Sequence, residues 1–349
     1  MSELPSPVPI PGAAWRPLAP ADAPALARLA EAARIADEDE EVLTEEDVLR
    51  ELTDPQAPAA TNTLGLVDPA GELLGWAIVR QRLDGRSSRR VFLGGAVHPA
   101  HRGRGIGRAL LAWSEARGRE VLAAQPDDLP RQLEAFLPGT QAAAIDLHER
   151  AGFAIVRHYT DMRRYLADPL PPLPDLGDLR IEPYDPARTE AVRSAHNEAF
   201  ADHWASEPVT RADWERNFVG DLRFRPEIAF VVLDGEDVAG QTINYLAEAD
   251  WAASGVREAW IGQLGVRRPW RGRGVATALL VRSMDAFRAL GLEAASLGVD
   301  TENPTGAVGL YERVGFRATR RYVRLRKAFE DPPGPGTTAG PETAPGPRP

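Results

Sequence analysis

Two short glycine-rich segments carry the residues of this sequence that are best suited to binding an anion. The first is Arg102-Gly-Arg-Gly-Ile-Gly107 and the second is Arg271-Gly-Arg-Gly-Val-Ala276. Glycine lets a backbone adopt positive φ and approach a ligand closely, and the free N–H groups at the start of a helix attract anions. Arginine adds charge-assisted bonds to phosphate. Each segment therefore predicts a socket for a diphosphate, and the alternative is a helix cap beside solvated arginines.

The glycine spacing argues against two common nucleotide-binding turns. A Rossmann turn needs Gly-x-Gly-x-x-Gly after the first strand of its unit. Here glycines stand at positions 103, 105 and 107 and at 272 and 274, and each segment follows the fourth predicted strand of its half. A P-loop is excluded because the chain has one lysine, Lys327, and no Gly-Lys-Ser/Thr sequence.

Both segments belong to a duplication. Arg102 and Arg271 are 169 residues apart, while Phe153 and Phe316, which end Leu-His-Glu-Arg-Ala-Gly-Phe and Leu-Tyr-Glu-Arg-Val-Gly-Phe, are 163 apart. The six-residue difference predicts extra loop in the first half around 125–140. A proline-rich stretch separates the halves and is expected to be a stiff linker. The predicted organisation is a domain at 13–166, the linker at 167–177, a domain at 178–330 and a disordered tail at 331–349.

The same order of elements is predicted twice. In the second half, alternating and apolar runs predict strands, and amphipathic runs predict helices. The strands are 179–184, 228–234, 238–246, 258–266, 295–299 and 318–326, and the helices are 187–200, 211–219, 274–289 and 305–314. The first half repeats this order from Trp15 to Leu166. Helices mixed with hairpins predict an α/β fold with a mixed sheet.

Composition excludes several classes of function. The chain has 349 residues, a formal net charge of −10 and no cysteine. It therefore has no disulfide, no thiolate nucleophile and no cysteine zinc site. An acidic chain is a poor general binder of nucleic acid. No apolar run is long enough for a membrane helix and the N-terminus does not look like a signal peptide, so a cytoplasmic protein without a membrane partner is expected.

The glycine-rich segments resemble the Gln/Arg-x-x-Gly-x-Gly/Ala motif of the GNAT N-acetyltransferase superfamily. The order of elements and the later motif, Asn303 to Phe316, are also similar to that family. The resemblance covers about 13–166 and 178–330. Two fused copies resemble the tandem subgroup that includes mycothiol synthase of actinomycetes. The implied fold is two tandem GNAT-like domains, each with a mixed, mostly antiparallel sheet flanked by helices.

The resemblance implies acetyl-CoA as the donor. No metal is expected, because His98 and His101 precede a helix and lack a third ligand for zinc. The resemblance implies that pantetheine lies along the fourth strand of a half and that the pyrophosphate binds the glycine-rich segment. In the second half the implied binding residues are Leu264, Gly265, Val266, Arg271, Gly272, Arg273, Gly274, Val275, Ala276 and Asn303. In the first half they are Ala96, Val97, Arg102, Gly103, Arg104, Gly105, Ile106 and Gly107.

The resemblance also places an acid in the second half. Transfer to an amine needs a deprotonated amine, and the leaving thiolate needs a proton, which a tyrosine can supply. Tyr311 occupies the position of the family's tyrosine acid, and the alternative is a packed helix tyrosine. The first half has His148 there, which is more typical of a helix surface. The second half is therefore predicted to be catalytic, and the first to bind cofactor, to be structural or to line the acceptor pocket.

The base is less defined. The family's glutamate on the fourth strand aligns with Trp260, so the sequence departs from the pattern there. Regular alternation predicts Glu258, Trp260, Gly262, Leu264 and Val266 on one face, which makes Glu258 the leading candidate, with a solvated carboxylate as the alternative. The other candidate bases are Asp250, Glu248, His203 and Asp202. Aromatic residues that could line the acceptor pocket are His203, Trp204, Trp214, Tyr245 and Trp251.

The predicted function is transfer of acetyl from acetyl-CoA to a primary amine of a small molecule, by direct attack in a ternary complex. One alternative is mycothiol synthase, acting on a cysteinyl-sugar amine. The other is a regulator that binds acyl-CoA without turnover. The expected assembly is a monomer or a homodimer.

Overall fold

A computed structural model describes residues 9–303 and 306–329. The predicted tail at 331–349 lies outside the described residues. The first half contains β1 (Ala14–Arg16), α1 (Ala23–Ala36), α2 (Glu45–Leu52), α3 (Ala59–Asn62), β2 (Thr63–Val67), β3 (Leu73–Arg82), β4 (Arg89–Val97), α4 (Ile106–Ala123), β5 (Arg131–Pro138), α5 (Ala142–Arg150) and β6 (Ala154–Tyr165).

The second half repeats that order. It contains β7 (Arg180–Pro183), α6 (Thr189–Ala199), α7 (Arg211–Asn217), β8 (Phe230–Asp234), β9 (Asp237–Tyr245), α8 (Trp251–Ser254), β10 (Glu258–Val266), α9 (Val275–Ala289), β11 (Ala294–Asp300), α10 (Ala307–Val314) and β12 (Arg317–Phe329). Among the described helices, none is both long and apolar enough to cross a membrane.

The extra residues of the first half are distributed differently from the prediction. The region 125–140, expected to be extra loop, contains the strand β5. Part of the six-residue difference lies in the preceding helix, since α4 has 18 residues and α9 has 15. The rest lies in the loop after that helix, because α4 ends at 123 and β5 begins at 131, whereas α9 ends at 289 and β11 begins at 294. The helix absorbs insertions because another turn continues the same hydrogen-bonding pattern.

The twelve strands in the described part of the chain form one sheet, in the order β1-β2-β3-β4-β5-β12-β6-β11-β10-β9-β8-β7. The pairs β4–β5 and β10–β11 are parallel, and the other neighbours are antiparallel. The predicted mixed, mostly antiparallel sheet is confirmed. The final strand of each half is exchanged: β12 pairs with β5 of the first half, and β6 pairs with β11 of the second.

Helices cover both faces of the sheet. The long helices α4 and α9 pack on one face, where Leu110 and Leu279 are buried. The helices α1 and α6 pack on the opposite face, where Leu26 and Val192 are buried. We call the α1 and α6 side the acceptor face. Burial of each apolar side chain of this size stabilises the fold by about 1.5–3 kcal/mol, so the helical layers hold the strands of both halves in position.

The exchanged strand makes the two cores interdependent. Leu325 lies on β12 of the second half, yet it is fully buried in the core of the first half with Val91 and Leu133. We expect Leu325→Ala to lower the free energy of unfolding by about 2–5 kcal/mol, because it leaves a cavity in a packed core. Urea unfolding followed by tryptophan fluorescence measures this change.

The matched control is Leu222→Ala, since Leu222 is 46 % exposed and surface substitutions change stability by only about 0.5 kcal/mol. Equal free energies of unfolding for Leu325→Ala and Leu222→Ala would contradict the packing of β12 in the core of the first half.

Candidate functional site

The glycine-rich segments form matching turns before the long helices. Gly272 and Gly274 have φ values of +76° and +81°, and Gly103 and Gly105 have values of +77° and +83°. Each helix starts at a glycine without a side-chain hydrogen bond to its first N–H groups. Helices such as α2, by contrast, are capped by a side chain, that of Thr44. The N–H groups of α4 and α9 are therefore left for another acceptor.

The first arginine of each segment fixes the turn to the protein. Arg271 donates to the Val266 carbonyl at 3.1 Å and to the Ala199 carbonyl at 2.8 Å. Arg102 donates to the Val97 carbonyl at 3.2 Å and forms two bonds with Asp37 at 2.6 and 2.9 Å. The second arginines, at positions 104 and 273, are exposed. Each pair therefore divides into an arginine that holds the turn and one that extends from it.

The proline-rich linker contacts the turn of the second half. A Cβ atom on Gly274 would lie 3.0 Å from Cβ of Pro174 and 3.9 Å from Leu176. A Cβ atom on Gly272 would meet nothing within 4 Å. The open part of this turn is therefore at Gly272, and the linker covers it from the side of Gly274.

Each half has two parallel strands that separate beside its turn. The β10–β11 pairing extends only from Glu258 to Trp260, although β10 continues beside β9 to Val266. The β4–β5 pairing ends at Phe92 in the same way. We call the space between the separated ends of β10 and β11 the C-terminal wedge, and that between β4 and β5 the N-terminal wedge. A wedge of this kind exposes backbone N–H and C=O groups that an extended ligand can bond.

A β-bulge at Gly262 changes the faces of β10. Ile261 pairs with Asn244 and Gln263 pairs with Ile243, so Gly262 is an additional residue. A Cβ atom on Gly262 would lie 2.1 Å from the Tyr245 ring, which excludes any larger residue.

The predicted alternation along β10 is wrong beyond this bulge. Leu264 packs in the core under α9 with Ile261, whereas Gly265 faces Phe200 near α6. Glu258 and Trp260 therefore share the acceptor face with Gly265 rather than with Leu264.

Tyr311 lies beneath the C-terminal wedge. It is on α10, 9 % exposed, and packs with Phe316 and with Leu297 of β11. Burial raises the pKa of Tyr311 to about 12, so the hydroxyl keeps its proton at neutral pH. A phenol that keeps its proton in this way is suited to donate to a bound group.

His148 has a different setting in the first half. Its Nδ1 lies 2.8 Å from the Ala144 carbonyl of the same helix, and its ring meets Phe153 edge to face. Burial lowers its pKa, so the ring is neutral at pH 7. The contacts of His148 are therefore those of a packed helix residue.

Glu258 is tied into an ion pair on the acceptor face. Its two oxygens accept bonds from Arg163 at 2.6 and 2.9 Å, and one also accepts from the Ser296 hydroxyl. Arg163 also donates to Glu40 at 2.8 Å. Glu258 as the base stays a prediction, and that role would require it to leave these partners.

The other candidate bases have separate environments. Asp250 accepts from the Val42 N–H at 2.8 Å, and burial raises its pKa to about 6. Asp202 pairs with Arg268 at 2.7 Å beside the turn of the second half. His203 lies 3.4 Å from the Trp204 carbonyl, and Glu248 is exposed. Through this bond, Asp250 contacts the loop that follows α1 in the first half.

A loop from each half lies over the other half. After α1, Asp39 and Glu40 bond Arg320 of β12, both at 2.8 Å. We call residues 37–43 the acidic strap. In return, Glu207 of the second half accepts from the Arg86 and Ser87 N–H groups at 2.8 and 2.9 Å. The loops therefore close each half with residues of its partner half, which a linear motif search cannot detect.

A cavity of about 1270 Å³ lies between the halves. Phe92, at the mouth of the N-terminal wedge, and Gln263, on β10, both line it. Of the aromatic residues predicted to line a pocket, Tyr245 does so, whereas Trp214 is fully buried in a core. Seven carboxylates and five arginines line the cavity. Its surface therefore suits a polar ligand with a positive charge.

The remaining predicted aromatics have structural contacts. Trp204 lies between two guanidinium groups, with Arg157 and Arg326 at 4.4 and 4.5 Å from its ring centre. Trp251 donates its indole N–H to the Glu258 carbonyl at 2.8 Å. Asn303 lies just after β11, and its N–H donates to the Asp300 carbonyl at 3.2 Å.

Two regions, 26–153 and 189–316, match the family model described as Acetyltransferase (GNAT) family. The chain belongs to the GNAT acetyltransferase family. A protein of Salinispora tropica named mycothiol acetyltransferase is 35 % identical over 315 residues, which cover 88 % of this chain and 92 % of that protein. One with the same name from Streptomyces scabiei is 33 % identical over 222 residues, covering 63 % and 66 %; against this relative the chain spans slightly less than two thirds of its length.

Solved structures agree with the tandem fold. A GCN5-related N-acetyltransferase from Sphaerobacter thermophilus superposes with a TM-score of 0.73 at 29 % identity, covering 93 % of this chain and 98 % of that one. A tandem GNAT protein from the clavulanic acid biosynthesis pathway gives 0.64 at 18 % identity, covering 90 % and 98 %. The predictions of the family, of its tandem fold and of an acyltransferase are confirmed.

We expect Arg163→Met to destabilise the protein by on the order of 3 kcal/mol, because removing one partner leaves carboxylates of a largely buried ion pair uncompensated. The side chains of Arg163 and Glu258 are each only 13 % exposed. Urea unfolding measures the loss. The control is Arg150→Met, whose partner Asp146 is half exposed, and which should cost less than about 1 kcal/mol. A negligible effect at Arg163 would mean that Glu258 does not need its partner.

Proposed function

We propose that this protein transfers an acetyl group from acetyl-CoA to a primary amine of a small polar molecule, at the C-terminal wedge. The observation that carries the proposal is the alignment of three features in one half: an uncapped helix start beside Gly272, strands that separate at Trp260, and a buried Tyr311 that keeps its proton. The first half shares the first two features and lacks the third. The relatives named mycothiol acetyltransferase support the same reaction class.

The cofactor residues remain those of the family resemblance. Backbone N–H groups of residues 271–276 and the exposed Arg273 would hold the diphosphate, because a helix N-terminus and an arginine both attract phosphate. The open space at Gly272 fits a phosphate held close to the backbone. Residues 264–266 would bond the pantetheine arm along β10. When bound, acetyl-CoA supplies the activated thioester.

Residues of the chain would supply the proton for the leaving thiolate and attract the acceptor. Tyr311 would donate its proton to the departing sulfur, since its hydroxyl stays protonated far above neutral pH. With no cysteine in the chain, attack by the amine in a ternary complex is favoured over transfer through an acyl-cysteine. The acidic excess of the cavity between the halves would attract the protonated form of the acceptor. The first half would bind a second CoA ester or act as a wall of that cavity.

A cysteinyl-sugar amine is the second candidate acceptor, because two of the relatives described above are named mycothiol acetyltransferase. A panel of small amines that includes it, with release of free thiol as the readout, tests both candidates. The chain has no thiol of its own, so the background is low for amines without a thiol. The cysteinyl-sugar amine carries a thiol itself, so its acetylated product is measured by mass spectrometry instead. Absence of thiol release with every amine, together with tight CoA binding, would support a regulator without turnover instead.

We expect Tyr311→Phe to lower kcat by about 10²–10⁴-fold, the usual contribution of a positioned acid, with little change in CoA affinity. Steady-state kinetics and calorimetry separate the two quantities. Tyr165→Phe is the control, because that ring is 54 % exposed. Full turnover by Tyr311→Phe from pH 6 to pH 9 would remove the assigned acid.

We expect Gly272→Ala to weaken CoA binding by on the order of tenfold, because its methyl group enters the open space where a phosphate would approach the backbone. Gly103→Ala is matched to it in φ and in free space, but lies in the first half. Calorimetry gives the affinity, and kinetics give the KM for acetyl-CoA. The KM should rise for Gly272→Ala and stay unchanged for Gly103→Ala; the reverse pattern would place the chemistry in the first half.

A further inference from the structure

The exchange of the last strands brings a carboxylate of the first half to the site of the second. Asp161 lies on β6 and is directly opposite Gly298 of β11. Its Oδ1 is 3.3 Å from the point that a Cβ atom of Gly298 would occupy, and the Trp260 ring is 3.6 Å from the same point. Asp161 and Trp260 therefore meet over Gly298, at the rim of the C-terminal wedge.

The space above Gly298 is open. Gly298 is the one exposed residue of β11, whose other six residues are buried. It follows Leu297, which faces the core that contains Tyr311. A molecule in the wedge therefore has Tyr311 below the sheet and Asp161 on the acceptor face. This arrangement supplies a proton donor and a proton acceptor on opposite sides of β11.

Asp161 also differs from Glu258 in its bonding. No strong salt bridge holds its carboxylate among the described ion pairs, whereas Glu258 accepts from both Arg163 and Ser296. We infer that Asp161 is the general base of the C-terminal wedge, supplied to the second half by the last strand of the first. This inference rests on the acetyl transfer proposed above and replaces the glutamate that the family pattern would place at Trp260.

The electrostatic setting fits this role. Burial raises the pKa of Asp161 to about 7, while contact with the Tyr322 hydroxyl opposes the rise. A group with that pKa is a carboxylate in about half of the molecules at neutral pH, which suits a base that must accept and release protons. The charged and titratable groups that face it are Tyr322 and Arg320 of β12, Asp39 and Glu41 of the acidic strap, Glu258 of β10, and Arg163 of its own strand.

The first half carries a cation at the matching position. The 163-residue spacing that relates Phe153 to Phe316 also relates Asp161 to Arg324. Arg324 lies opposite Phe136 of β5, and its guanidinium is 5.7 Å from that ring. A guanidinium cannot accept a proton at pH 7, and Phe136 fills the space that Gly298 leaves open. The N-terminal wedge therefore lacks both the base and the opening.

The proposed step balances in atoms and charge. Asp161 accepts one proton from the acceptor ammonium, and the freed electron pair forms the C–N bond. The C–S bond breaks, and the sulfur leaves with its electron pair and takes the Tyr311 proton. The second nitrogen proton returns to Tyr311, and Asp161 releases its proton to solvent. One proton is released for each acetyl group transferred.

The test is Asp161→Asn in the full chain, assayed across pH with an amine that the wild type accepts. Wild-type kcat/KM should rise up to about pH 7 because the base must be a carboxylate. In Asp161→Asn we expect kcat/KM at pH 7 to fall by about 10²–10⁴-fold and the rise near pH 7 to vanish. Activity should recover towards pH 10, where the free amine loses its proton unaided.

Folding and cofactor binding serve as controls. Burial disfavours the charge of Asp161, so its cost to stability grows as the pH rises from about 4, the unfolded-state pKa, to about 7. Asp161→Asn should therefore raise the Tm more at pH 8 than at pH 5, and CoA affinity should stay within twofold. Asp146→Asn, at an exposed ion pair, is the matched control for activity. If Asp161→Asn fails to fold, Gly298→Ala tests the same point, since its methyl group would press on Asp161 and should lower kcat without changing CoA affinity.

The outcomes separate the two proposals. A wild type that releases no thiol with any amine would overturn the acetyl transfer itself. A wild type that is active while Asp161→Asn keeps the rise near pH 7 would overturn only the base. Loss of that rise in Glu258→Gln, with Asp161→Asn unaffected, would assign the base to Glu258.

Discussion

The pairing of β12 with β5 and β6 is the constraint on which the rest of the molecule depends. Without it, the first half would lose β12, whose Leu325 lies in its core. The strands β6 and β11 of the second half's sheet would no longer be joined to β5. Hydrogen bonds along these long antiparallel pairs join twelve strands into one sheet. The loop after α1 contacts the second half, and the loop after α6 contacts the first half. Residues of both copies therefore surround each wedge.

Much of the site was predictable from local sequence. Glycines at positive φ before a helix are a requirement of backbone sterics, so the turns at Gly272 and Gly103 followed from their spacing. The strand and helix order followed from apolar periodicity, and the family followed from both. These features depend on residues close together in the chain, where the physical rules are short-ranged.

Other features could not be read from local patterns. The bulge at Gly262 shifts every later residue of β10 by one position, and alternation alone assigned Leu264 to the wrong face. The ion pair of Glu258 with Arg163 and Glu40 joins three segments that are far apart in sequence. The proposed role of Asp161 cannot be read from its neighbours in the sequence, because it depends on which strand lies beside β11, and tertiary pairing rather than local propensity decides that.

Asymmetry between the copies has a consequence for how this protein can evolve. The last strand of the first copy, β6, pairs with β11 of the second copy. Its side chains are therefore constrained by the C-terminal wedge rather than by the wedge of the first copy. The strand β12, which the second copy supplies to the first half in return, carries Arg324 at the matching position, where no proton acceptor is needed. A chain cut between the copies would leave each half without the strand that the other half supplies to its sheet.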